Sequence, residues 1–145
     1  MAVSIRKDGN VISRQRIVFC YFSPKEIDYT PVDIGCIVAL LEQKFPGKYA
    51  CEILQLDYRL DTYARIDALR EHDVNRSVDL IGYHRPTAVF IFCESILWSK
   101  VNAFWRASSI AEELKRRQPD LFVGLQSYRA QKPQIDEVFA KGSVD

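Results

Sequence analysis

Apolar and polar positions alternate in blocks along this chain. Ile17 to Phe22 is an unbroken run of six apolar residues. A run of that length suits a strand buried on both faces, as in a parallel sheet with helices on either side. A polar loop with two prolines follows, and then an apolar helix over Pro31–Phe45 with a plain start signal. Thr30 is placed as its N-cap, Pro31 as its first residue, and Asp33 faces the free N–H groups of the first turn. Pro46-Gly47 ends it. Gly35 in the first turns costs about 1 kcal/mol against alanine, which suggests close approach to the backbone there.

The alternation continues. Ala50–Asp57 reads as a second strand. Asp61 caps a second helix whose apolar positions are Ile66, Leu69, Val74, Val78 and Ile81, with Gly82 as its stop and His84-Arg85-Pro86 as a turn. Ala88–Cys93 is a third strand. Ser99 caps a third helix that turns Phe104, Ile110, Ala111 and Leu114 inward and runs to Pro119. Leu121–Leu125 is a fourth strand, and Gln134–Ala140 begins a fourth helix. Ahead of these units, Val3, Ile5, Val11 and Ile12 flank Lys7-Asp8-Gly9-Asn10, a hairpin signal. The expected fold is α/β: a doubly wound, flavodoxin-like (Rossmann-like) parallel sheet of order 2-1-3-4, with helices on both faces. A short N-terminal hairpin or arm, 1–15, precedes the α/β domain, 16–145. The alternation predicts a further strand after the last helix, so the chain reads as a piece of a longer enzyme.

Composition narrows the function classes. With 145 residues and 48% hydrophobic content, the chain can bury a core. Twenty basic residues stand against 19 acidic ones, a net charge of +1. Bulk charge therefore argues against nucleic-acid or membrane-surface binding. No apolar run reaches the about 18 residues of a membrane span, and the N-terminus lacks a signal peptide's apolar region. Cys20, Cys36, Cys51 and Cys93 are widely spaced, which fits small buried residues kept reduced in a cytoplasm. Lys115-Arg116-Arg117 reads as a solvated helix end, and His72 and His84 as surface histidines. G-x-G-x-x-G, G-x-S-x-G and CxxxCxxC are all missing. The loop SPKEIDYTP is too long and charged for a flavodoxin phosphate cradle. A Cys93-Glu94 strand end does not suit a receiver domain.

The order of elements, the Pro-Val-Asp-Ile-Gly helix start and the ending Val-Phe-Ala-Lys-Gly-Ser-Val-Asp carry a resemblance. Together, over Arg16 to Asp145, they resemble the N-terminal cobalamin-binding domain of cobalamin-dependent radical S-adenosylmethionine enzymes of methyltransferase type. Aligning the glycine of the D-x-H-x-x-G cobalamin motif with Gly35 puts Thr30 at the aspartate and Val32 at the histidine. The resemblance therefore implies base-off cobalamin held without a histidine ligand, its nucleotide tail threaded between sheet and helices. It implies methyl transfer from S-adenosylmethionine through Co(I) to a carbon of a natural-product precursor, in a bacterial cytoplasm. S-adenosylmethionine and an iron–sulfur cluster are expected in a downstream radical domain of the same polypeptide, without which this chain is inactive. The implied cofactor-binding residues are Tyr29, Thr30, Val32 and Gly35 before and in the first helix, and Tyr58 and Arg59 after the second strand. Glu94 and Ser95 follow the third strand. Gln126, Ser127 and Tyr128 follow the fourth, where the family carries a Gly-Gly-like turn. Arg59 beneath the corrin would keep other ligands off the lower face, because an arginine stays protonated. The alternative is a non-catalytic α/β interaction module that packs Leu97-Trp98, Phe104-Trp105 and Tyr58/Tyr63 against a partner domain.

Overall fold

The structure, a computed structural model, describes residues 3–5, 11–23, 31–57, 66–93, 103–127 and 130–145. Two short strands, β1 (Val3–Ile5) and β2 (Val11–Ser13), pair antiparallel as the apolar spacing predicts. Then come β3 (Gln15–Ser23), α1 (Val32–Lys44), β4 (Tyr49–Asp57), α2 (Ile66–Tyr83), β5 (Ala88–Phe92), α3 (Phe104–Arg117), β6 (Phe122–Gln126) and α4 (Lys132–Ala140). The four longer strands form one all-parallel sheet in the order β4-β3-β5-β6. Counted from its first strand this is 2-1-3-4, the expected doubly wound arrangement.

Why β3 is apolar throughout is visible in its neighbours. Successive side chains of a strand point to opposite faces. Val18, Cys20 and Phe22 join α2 and α3 in one core, with Val78, Ile81, Ile110, Ala111 and Leu114 buried against them. Ile17, Phe19 and Tyr21 face the other way, toward Ile34, Val38 and Leu41 of α1. The third helix presents Phe104, Ile110, Ala111 and Leu114 inward as its spacing predicts, and all four are buried.

Several boundaries differ from the sequence reading. Pro31 occupies the N-cap position of α1 in an extended conformation (φ −55°, ψ 126°), so the helix starts at Val32. Gly82 does not stop α2, which runs one residue further. The reversal falls on Arg85, whose φ of 49° is left-handed, just before Pro86. A residue preceding proline is disfavoured in the right-handed helical region. The fourth helix starts two residues before Gln134, with the Gln131 N–H donating to the Gln134 side-chain oxygen at 2.8 Å. The proposed caps Thr30, Asp61 and Ser99 lie outside the described residues.

Polar side chains also depart from expectation. Cys20 and Cys93 are buried, but Cys51 is half-buried and Cys36 lies exposed on the outer side of α1, so the thiols are not four core residues. His84 is no free surface histidine: its Nδ1 pairs with the Glu52 carboxylate, while Arg16 donates to the His84 carbonyl at 2.9 Å. The side chain of His72 lies outside the described residues. The basic helix end is engaged rather than merely solvated. Arg117 reaches Asp79 and Asn75 of α2 at 2.6 Å each, and Lys115 holds both carboxylate oxygens of Asp145 at 2.8 and 2.9 Å.

Candidate functional site

The two faces of the sheet are covered unequally, and this inequality makes the site. Two helices close the face that carries Val18, Val89 and Val123. On the opposite face α1 covers β3 and β4. Over β5 and β6 an apolar cleft of about 810 Å³ remains, bounded by Ile37 and Leu41 of α1 and by Ile135 and Phe139 of α4. Ligand sites commonly measure about 300–1,000 Å³ and are mostly apolar.

The cleft floor is a row of aromatic rings. Phe19 and Phe90 are register partners on adjacent strands, and their rings stack at 5.6 Å and 18°. Phe90 in turn stands opposite Gly124 and reaches Phe122, at 5.6 Å between ring centres. Gly124 is required by this contact: a Cβ there would lie 2.8 Å from Phe90 Cδ1. The glycine lets the Phe90 ring lie down across β6 instead of standing up into the cleft. Phe122 is 43% exposed and Phe139 58% exposed, high values for phenylalanine on a sheet face and a helix beside it.

The mouth at the carboxyl ends of the strands is lined by Phe92, Gln126, Ser127 and Ala130. The Gln126 carbonyl accepts from the Cys93 N–H at 2.9 Å, continuing the β5–β6 ladder. The Ser127 hydroxyl accepts from the Ala130 N–H at 3.1 Å and fixes the turn into α4. The opposite end of the cleft is closed by Gln15, Tyr49, Thr87 and Asp145. There the Thr87 hydroxyl donates to the Arg16 carbonyl at 3.0 Å. The Asp145 carboxylate accepts from Lys115 and from the Val123 N–H, and the hydrogen bonds from Lys115 hold it below the usual carboxylate range. The Asp145 N–H donates to the Val123 carbonyl at 3.0 Å, so the last residue pairs along the β6 edge.

The residues expected to form a cofactor site divide into three groups. Gln126 and Ser127 line the mouth of the cleft. Val32 and Gly35 sit at the start of α1 and are not among its lining residues. Val32 is 66% exposed, and open space surrounds Gly35, with nothing within 4 Å of a Cβ there. The close approach read into Gly35 is not made by any described atom of this chain. Tyr29, Thr30, Tyr58, Arg59, Glu94, Ser95 and Tyr128 lie outside the described residues, as do Tyr63, Leu97 and Trp98 of the aromatic patch. Of that patch Phe104 is buried at 3% exposure and belongs to the core, while Trp105 is 51% exposed. The floor itself, Phe19, Phe90 and Phe122, escaped sequence reasoning. The signal was present in the alternation of Phe90 and Phe92 with Val89 and Ile91, but a continuous apolar run conceals which face is left open.

No family profile, no curated protein and no solved structure matches this chain. The site's chemistry therefore rests on its own geometry. Among the described residues no group of three or more His, Cys, Asp and Glu side chains could hold a metal ion. Nor is any helix of the described residues long and apolar enough to cross a membrane. The cleft does suit the tail of a cobalamin in shape and chemistry. It is long, apolar and ring-lined, and it opens on polar side chains at the sheet edge where ligands of open α/β sheets bind.

Proposed function

We propose that this chain binds cobalamin, as the N-terminal domain of a radical S-adenosylmethionine methyltransferase. The observation that carries the reading is the aromatic-floored cleft between α1 and α4, open at the carboxyl ends of the strands. A nucleotide tail threaded between sheet and helices needs such a space. Phe19, Phe90 and Phe122 would hold its flat base, and Gln126 and Ser127 its polar portion near the mouth. At the position where the motif of this resemblance has a histidine, Val32 offers only methyl groups, so the cobalt receives no imidazole from there. His84, the one described imidazole side chain, is engaged with Glu52 at the opposite end of the sheet, beside the Arg16–Thr87 contacts. This arrangement supports a base-off form without a histidine ligand.

Once bound, cobalamin supplies a cobalt that can carry a methyl group. This chain's own residues bind it, orient it and exclude water from its tail. The chain has no CxxxCxxC, so radical generation would belong to a further domain. The test is to mix the purified chain with hydroxocobalamin, desalt it and record the visible spectrum of the protein peak. Near-stoichiometric retention with a base-off spectrum supports the reading. A folded but colourless protein removes it for this chain.

A second reading, a non-catalytic interaction module, is favoured by one observation. Phe122, Ile135, Phe139 and Trp105 are all more than a third exposed, and such apolar surface is commonly covered by a partner. Stoichiometric cobalamin binding discriminates the two.

A further inference from the structure

We infer that the cleft selects among cobamides by their nucleotide base, taking a flat apolar base of the benzimidazole or phenol class over a purine that carries an exocyclic amine. This rests on the cobalamin reading and adds to it what the cleft accepts.

The argument concerns where polar groups are. Phe19, Phe90 and Gly124 form one row across β3, β5 and β6, at the middle of the cleft. A parallel ladder directs backbone N–H and C=O groups sideways to the neighbouring strands, so a sheet face presents side chains and not main-chain partners. Here those side chains are two phenyl rings and a glycine, with Ile37 and Ile135 at the walls. Hydrogen-bonding groups are confined to the two ends. At the amino end Thr87 is committed to Arg16, and Asp145 to Lys115 and Val123. Gln15 and Tyr49, register partners of each other, lie at that same end. At the carboxyl end Gln126 and Ser127 stand at the mouth.

A base laid on the phenyl row therefore meets carbon on its faces and edges. A benzimidazole or a phenol ring gains contact area and stacks on Phe90. An exocyclic amine gives up its water there and finds no acceptor, which lowers affinity about tenfold to a hundredfold. Ile135 stands at the rim of this row and is 39% exposed, so Ile135→Gln brings an amide to the cleft without disturbing the buried core.

The test is equilibrium binding of three purified probes to the chain, followed by visible absorbance: cobalamin, the cobamide with an adenine base, and cobinamide, which has no nucleotide. The expected order places cobalamin at least about tenfold tighter than the other two, with Ile135→Gln narrowing the gap between cobalamin and the adenine cobamide. Equal affinities for cobalamin and the adenine cobamide overturn the selection while leaving cobalamin binding intact. Cobinamide binding as tightly as cobalamin also overturns it, since the tail would then not engage the cleft. Retention of none of the three overturns the cobalamin reading and the selection together.

Discussion

Gly124 and Phe90 show how much one hydrogen atom can decide. A methyl group at position 124 would meet the edge of the Phe90 ring at 2.8 and 3.0 Å. Phe90 is a partly buried ring stacked on Phe19, so it has little room to retreat. Gly124→Ala is expected to destabilise the fold by about 1–3 kcal/mol, the usual cost of overpacking, as read from urea denaturation. In the core of the other face, Leu114 is 1% exposed. Leu114→Ala is expected to cost about 2–5 kcal/mol by the same measurement. The cysteines separate just as sharply. Burial pushes the Cys20 thiol far above its ordinary range, whereas Cys36 is exposed. The thiolate is the reactive species. A maleimide at neutral pH should therefore label Cys36 quickly and leave Cys20 and the buried Cys93 untouched until the protein unfolds, as peptide mass mapping would record.

At the scale of elements, α2 and α3 are clamped as well as packed. Glu113 accepts from Arg116 and Arg117 at 2.6–2.7 Å, and Arg117 continues to Asp79 on α2. Hydrogen bonds from the two guanidinium groups lower the Glu113 carboxyl from 4.5 to about 2. A depressed carboxyl pKa contributes stability that is fully present above the unfolded value and is lost as pH falls through the folded one. The melting temperature should thus decline from pH 4.5 toward pH 2, and Glu113→Gln should flatten part of that decline. The pair sits at the surface, so the effect is modest. These elements differ in how readable they were. The inward face of α3 could be read directly, because a helix with one buried stripe writes its period into the sequence. The ends were harder. Gly82 resembles a stop signal, yet the chain reverses only at Arg85, where Pro86 forbids another helical residue. Lys115 and Arg117 resembled solvated charges because their partners, Asp145 and Asp79, are 30 and 38 residues away.

For the whole molecule, strand order and the division of helices between faces were legible from alternation alone. Short right-handed crossovers leave few other topologies. The cleft was not legible. Strands buried on both faces look the same in sequence as strands with one face half-open, since both are continuously apolar. Only coordinates reveal that Phe122 and Phe139 lack a covering helix, whereas Val123, next to Phe122, is fully buried. The motif positions at the start of α1 were likewise legible as a helix start. Their distance from the cleft depended on where α1 settles, which local pattern does not encode.

The uneven cover of the sheet has a thermodynamic consequence. The cleft exists only while β5, β6, α1 and α4 hold their places, so whatever fills it binds the folded chain and not the unfolded one. Its occupant becomes a partner in the folding equilibrium. At a free concentration one hundred times its dissociation constant it adds about 2.7 kcal/mol to stability. The melting point of this protein is then itself a gauge of cleft occupancy, readable for any colourless compound as well as for a corrinoid.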